Sequence, residues 1–444
     1  MENKNILENE NITKLFFKFA IPSIFGMLIV SLQIMVDGMF LGQNVGPMGL
    51  AAVNLSMPLI NFLMSIGLMI CVGGGVITSI YKGNKKIKKS HEITTITLGL
   101  LIFVLEFLSI IVLIKLDFFI KVLGANENIY PYVRAYMIPM MIGAFFYTAP
   151  IFTETFVKIE EKPNFVFISG LTCLVFNVIL DYLLIVRLKL GMTGGASATI
   201  IACAFGFFAL LPNLRFKLPR KKIGYYINDI KNIFYNGSSE MLSVVSSTFA
   251  MYLFNLVIMD KIGVLGVSAL TIVFYINQLL NISLYGLSQA LQPLVAYNLG
   301  ARHLDKIKKV LKVSLITGGS LGVIAYVGSH LWGTFIIKIF SKGNQELIDL
   351  AGTALFYVSF AYLISFANII STSFLTSIEK PLESVIVSMG RSIVFIAIPL
   401  FILPNIIGSK GIWLSIPIAE ILCLIVSFYL MKKSILYLER KLKY

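Results

Sequence analysis

The sequence predicts an all-α membrane protein: twelve transmembrane helices in two six-helix lobes, related by a pseudo-twofold along the membrane normal. Three observations carry that prediction. Hydrophobic residues make up 57% of the 444 residues and charged residues 13%, against roughly 25% charged in an ordinary soluble domain. The apolar residues fall in runs longer than the ~18 that mark a membrane span. The chain also repeats itself: Gly46 to Gly83 realigns without a gap on Gly263 to Gly300, an offset of 217, and Phe156 to Pro163 realigns on Phe374 to Pro381, an offset of 218. Internal repeats in an apolar chain mark a transporter with a central site between lobes.

The twelve spans fall near residues 13–42, 50–81, 92–115, 131–157, 163–187, 193–213, 233–259, 265–299, 310–337, 347–378, 382–403 and 411–431. Span one follows a polar, acidic segment that lacks the basic stretch and cleavage site of a signal peptide, so it is expected to stay in the mature protein. Pro22 in span one, Pro139 in four, Pro293 in eight, Pro399 in eleven and Pro417 in twelve are candidate kinks, because proline removes a backbone hydrogen bond and crowds the preceding turn. Gly73, Gly74 and Gly75 in span two permit close helix approach. Each copy holds six spans, an even number, so both enter the bilayer from the same side, which sets the axis along the normal. Residues 214–232, basic and carrying Pro219 and Gly224, read as the linker between an amino-terminal lobe (1–213) and a carboxy-terminal lobe (233–444).

Lys and Arg number 27 on the side shared by both termini and nine on the other. Positive-inside bias therefore places both termini and the linker in the cytoplasm, with the protein in the cell (plasma) membrane. The net charge of +15 sits largely in loops such as Lys82 to Lys89 and Arg215 to Lys222, which that bias explains without a nucleic-acid partner. All four cysteines (Cys71, Cys173, Cys203, Cys423) lie within spans and have no metal-type spacing, so they read as small packing residues. No cofactor is implied, and a monomer suffices mechanically.

Acids inside spans are costly, about 2.5–3.5 kcal/mol each on insertion scales, and mark function. Here they are Asp37, Glu106, Asp181, Glu240 and Glu420, with Glu154 near a cytoplasmic end. Asp37 lies five residues before Gly42, where span one exits, hence ~7.5 Å below that end at ~1.5 Å per residue. Asp181 lies at similar depth in span five, Asn177 one turn inward on the same face, and Thr199 six residues into span six, which descends from the same side. Four oxygen-bearing side chains thus converge on one level. The set suits a proton, since two neighbouring carboxylates in low dielectric cannot comfortably both stay ionised. It equally suits Na⁺ held by Asp37, Asn177, Asp181 and Thr199 as a hard-oxygen cage, or a hydrogen-bond cluster tying three helices together.

The second copy lacks the cluster: at an offset of 218, Asp181 falls on Pro399 and Asn177 on Phe395. Its own intramembrane charges are Arg391 and Glu420, placed to form a buried ion pair that is structural or takes part in substrate binding or gating. Intramembrane cations reduce essentially to Arg391. Glu240 either binds a cationic substrate or is a partly solvated acid at a helix N-terminus. Pro22 is a hinge candidate because it shares a span with Asp37. Aromatic and methionine side chains are plentiful (34 Phe, 19 Tyr, 17 Met), which suits an adaptable cavity for flat, apolar cations.

Four segments together resemble the multidrug and toxic compound extrusion (MATE) family along nearly the whole chain: Val36 to Gly42, Asn177 to Asp181, Gly194 to Thr199, and Gly286 to Pro293 with Asn298 to Ala301. The resemblance implies two V-shaped lobes and alternating access that exchanges inward H⁺ or Na⁺ for outward organic cations or drugs. It also implies a cation-coupling role for Asp37, Asn177, Asp181 and Thr199. The NorM-like branch carries acids in spans seven and ten, where this chain has Ser247 and Ser365, so coupling is expected in the first lobe. The expected function is secondary active multidrug antiport, with flipping of a lipid-linked intermediate as the alternative. The absence of a Walker segment argues against ATP-driven export, and the absence of His-Glu-x-x-His or Gly-x-Ser-x-Gly argues against an enzyme.

Overall fold

A computed structural model describes residues 10–341 and 344–443. Among the described residues, ten helices are long and apolar enough to cross a membrane, and the count reaches twelve spans when each of two bent helix pairs is taken as one. No strand occurs among the described residues. The spans are Ile12–Asn44, Pro47–Gly83, Ile87–Ile114, Tyr130–Ile142 with Ala144–Ile159, Asn164–Arg187, Gly191–Asn213, Gly224–Lys261, Leu265–Gly300, Leu304–Ser341, Gln345–Ser359 with Tyr362–Ser377, Pro381–Ile407 and Ser409–Arg440. They are numbered one to twelve below.

Several helices outrun their apolar windows because an amphipathic turn continues them. Span seven starts about two turns before residue 233, so that part of the expected linker is helical. There Asp229 accepts a 2.6 Å hydrogen bond from the Tyr81 hydroxyl and lies 3.0 Å from the Lys89 ammonium. Tyr226 donates to Glu92 at 2.8 Å. These polar partners hold a segment whose mean hydropathy gives no sign of order.

The duplication is visible in the backbone. Left-handed residues recur at the sequence offset: Gly46 with Gly263 (φ 87° and 86°), Lys85 with Arg302 (62° and 59°), Glu161 with Glu379 (65° and 60°), and Gly191 with Gly408 (55° and 67°). The sharp bends recur too, 51° between Ile142 and Ala144 and 53° between Ser359 and Tyr362. Neither bend falls on a proline, so spans four and ten break where the helix ladder is interrupted rather than at the expected kink Pro139. Span one runs through Pro22 as one helix.

By contacts the chain forms two compact units, Ile21–Gly237 and Glu10–Ala20 with the residues from Ser238 onward, so the division falls within spans one and seven. In the first unit span two is the most enclosed helix, and its glycines explain why. A Cβ on Gly73 would stand 1.9 Å from the Ile233 carbonyl oxygen, and one on Gly74 or Gly75 would meet Thr97 or Thr155 at 2.4 and 2.6 Å. A Cβ on Gly237 would stand 1.8 Å from the Met69 carbonyl oxygen. Spans two and seven therefore touch backbone to backbone there, as small residues allow. All four cysteines are buried and free, as packing residues should be.

Candidate functional site

The first unit gathers the four residues that the sequence put on one level. Thr199 donates to Asp37 Oδ2 at 3.1 Å, and its hydroxyl also lies 3.1 Å from the Gly195 carbonyl one turn back. Asp37 is within side-chain reach of Asp181 and Asn177 as well. Asn177 and Asp181 are wholly buried. Yet Asp37 Oδ1, both oxygens of Asp181 and both amide atoms of Asn177 are buried without a hydrogen-bond partner. A buried polar atom left unpaired costs about 1–3 kcal/mol, so a static hydrogen-bond cluster does not account for them. A proton shared by the two carboxylates, or Na⁺ taking oxygens from Asp37, Asp181, Asn177 and Thr199, would satisfy most of them together.

Local structure aims these groups. Asp181 stands where span five changes from α-helix to the π-helical turn Tyr182–Arg187, a widening often found at functional positions. Tyr136 of span four, nearly buried, lies in electrostatic reach of both Asp37 and Asp181, and Tyr147 reaches Asp37. Sequence reasoning missed both, because nothing distinguishes them from the other tyrosines. One helical turn inward, the Cys173 thiol points at Gln33 Oε1, 3.8 Å away, beside Cys203.

The second unit holds the expected ion pair. Arg391 Nε donates to Glu420 Oε1 at 2.7 Å, and Asn368 donates to Glu420 Oε2 at 2.6 Å while accepting from Ser427 at 2.7 Å. Arg391 sits on a second π-helical turn, Gly390–Val394. The four-residue network ties spans ten, eleven and twelve together, a geometry that serves packing and leaves a part in substrate binding or gating open. Glu240 accepts from the Gln292 amide at 2.8 Å. The helix-terminus reading of Glu240 is corrected: it lies thirteen residues past Ile227, ~20 Å from the helix start and beyond the reach of the terminal dipole. Glu106 accepts from the Phe145 N–H at 3.4 Å, capping the second half of bent span four. Ser247 is exposed and bonds its own helix, and Ser365 is buried, so neither position supplies an acid.

A second correction concerns cations. Lys158, inside span four, is 2% exposed, so Arg391 does not stand alone. The expected span four ended at residue 157, one residue short of Lys158. Lys158 has Glu154 one turn back and Arg391 has Glu420, so each cation has an acid beside it.

A family model described as MatE matches residues 22–183 and again 240–402, once per repeat. The chain is similar to the multidrug export protein MepA of Staphylococcus haemolyticus (strain JCSC1435), 24% identical over 431 residues that cover 95% of this chain and 94% of the relative. The MepA of Staphylococcus aureus (strain MRSA252) is likewise 24% identical, over 94% and 92% of the two chains. Among solved structures, a MATE in complex with MaL6 superposes with a TM-score of 0.92 at 18% identity, covering 99% of this chain and 100% of the other. An outward-facing multidrug resistance MATE transporter of the MOP superfamily gives 0.92 at 19% identity over 99% and 100%.

Proposed function

Taking as premise that the chain belongs to the MatE family, we propose that this multidrug efflux transporter is a cation-coupled antiporter of the plasma membrane with both termini cytoplasmic. H⁺ or Na⁺ binds at Asp37, Asn177, Asp181 and Thr199, and organic cations leave in exchange. The observation that carries the reading is the set of five buried, unpartnered polar atoms on Asp37, Asn177 and Asp181. Binding a cation there satisfies the four oxygens among them, so the loaded and empty states differ in energy, and a ligand shifts a conformational equilibrium only by such differential binding. Span one links the site to Pro22, the hinge in this reading. The export of drugs by the MepA relatives supports drugs as the cargo.

Each positive charge moved across 100 mV releases ~2.3 kcal/mol, enough for a concentration ratio of about 50 in a monovalent drug exchanged against one additional net charge. The test is efflux of a fluorescent organic cation under imposed pH or Na⁺ gradients in wild type, Asp37→Asn and Asp181→Asn. Efflux that follows one gradient and vanishes in both folded variants is the expected result and names the ion. Gradient-independent efflux, or efflux indifferent to both aspartates, overturns the reading.

A further inference from the structure

Glu154 and Lys158 form an acid–base pair one turn apart in the inner half of span four, and the coupling scheme above does not use them. Lys158 is 2% exposed, and its ammonium reaches to 3.5 Å from the Ser23 hydroxyl of span one, the residue directly after Pro22. A buried ammonium is retained where it is paired and serves a purpose, since desolvation costs several kcal/mol per ion.

The repeat shows that packing does not require the charge. At the offset of 218, Glu154 and Lys158 fall on Thr372 and Thr376 of span ten. There Thr376 meets Ser239 of span seven, the second copy's counterpart of span one, through a 2.9 Å hydroxyl–hydroxyl hydrogen bond. The same helix junction is therefore made with neutral side chains in one unit and with a matched acid and base in the other. The charged version stands in the unit that carries Asp37, Asn177 and Asp181. Asp37 is fourteen residues along span one from Ser23, ~21 Å away on the same helix.

We propose that Lys158, counterbalanced by Glu154, is a positioning residue that anchors span one to span four beside Pro22, so that cation loading at Asp37 is converted into a bend at the proline. This rests on the antiport reading. With the anchor, the segment around Ser23 is fixed and span one yields at Pro22, where a backbone hydrogen bond is already missing. Without it, span one shifts as a rod and the conformational step slows, while the drug and cation sites remain intact.

The experiment is drug uptake and drug binding by the full-length protein in proteoliposomes, using a fluorescent organic cation. The variants are Lys158→Arg, Lys158→Thr, the double variant Glu154→Thr/Lys158→Thr that copies the second repeat, and Asp37→Asn. Lys158→Thr and the double variant are expected to lower maximal transport about tenfold while KM and drug affinity change less than about twofold, and Lys158→Arg to keep most of the rate. A double variant that transports at the wild-type rate overturns the proposal, because charge balance alone then explains the pair. The double variant and the arginine variant keep the test alive if Lys158→Thr fails to fold. Transport that survives Asp37→Asn sinks the antiport reading instead, which separates the two failures.

Discussion

Removing Arg391 leaves the Glu420 carboxylate, 5% exposed, with only the Asn368 amide and no counter-charge. Breaking a buried ion pair from one side costs about 3–5 kcal/mol, chiefly from the stranded charge. Arg391→Met is therefore expected near the upper part of that range. Glu420→Gln should cost less, roughly 1–3 kcal/mol discounted for partial solvation, because the Arg391 side chain is 22% exposed. The double variant Arg391→Met/Glu420→Gln removes both charges, while the glutamine oxygen still accepts from Asn368. It should lie within about 1 kcal/mol of wild type, giving a coupling energy of about 4 kcal/mol or more. The repeat argues that the fold tolerates this: Cys173 stands at the counterpart of Arg391 and Cys203 at that of Glu420, at offsets of 218 and 217. The assay is reversible denaturation in mixed micelles for the four proteins of the cycle, with efflux measured alongside. A coupling below about 0.5 kcal/mol refutes the structural assignment. A stable double variant without efflux places the pair in substrate handling.

Gly237→Leu drives a side chain into the Met69 carbonyl, already 1.8 Å from the ideal Cβ position, and should cost about 3 kcal/mol or more, seen as loss of monodisperse protein on size exclusion. Glu106→Ala removes the acceptor for the Phe145 N–H at the break of span four and should cost about 1 kcal/mol, as helix caps do, read as a lower denaturation midpoint. Glu160, in the loop after span four, is partly buried, which alone would raise its pKa; the His91 hydrogen bond and the charges of Lys82 and Arg215 outweigh this and hold it below the usual carboxylate value. A depressed folded-state pKa means stability present above pH ~4.5 and lost as pH falls through the folded value. Glu160→Gln should therefore flatten the acid limb of a stability–pH curve below about pH 4.5, and an unchanged limb removes Glu160 as a contributor.

Much of the site was legible because its signal is local. An Asp in an apolar run stands out against its neighbours, and counting residues from a span end places it in depth, which brought Asp37, Asn177, Asp181 and Thr199 to one level before any coordinates. The same counting ended span four at residue 157 and so left out Lys158, whose burial depends on neighbours distant in sequence. It also could not choose Tyr136 or Tyr147 from a chain rich in tyrosine, nor see that span five changes helix type at Asp181. A hydroxyl or a helix irregularity carries no mark in composition; its meaning comes from what faces it.

The sequence by itself determined the membrane class, the twelve spans and the duplication, because hydropathy and repeat offset are properties of the chain taken in order. It also determined which unit carries Asp37 and Asp181, since a substitution between repeats is read position by position. Only the tertiary structure decided that five polar atoms at Asp37, Asn177 and Asp181 stay unpartnered, that Glu240 has Gln292 as its partner, and that Lys158 meets span one at Ser23. Those facts depend on distances between residues far apart in sequence, and hydrogen bonding and desolvation are set by such distances rather than by residue type.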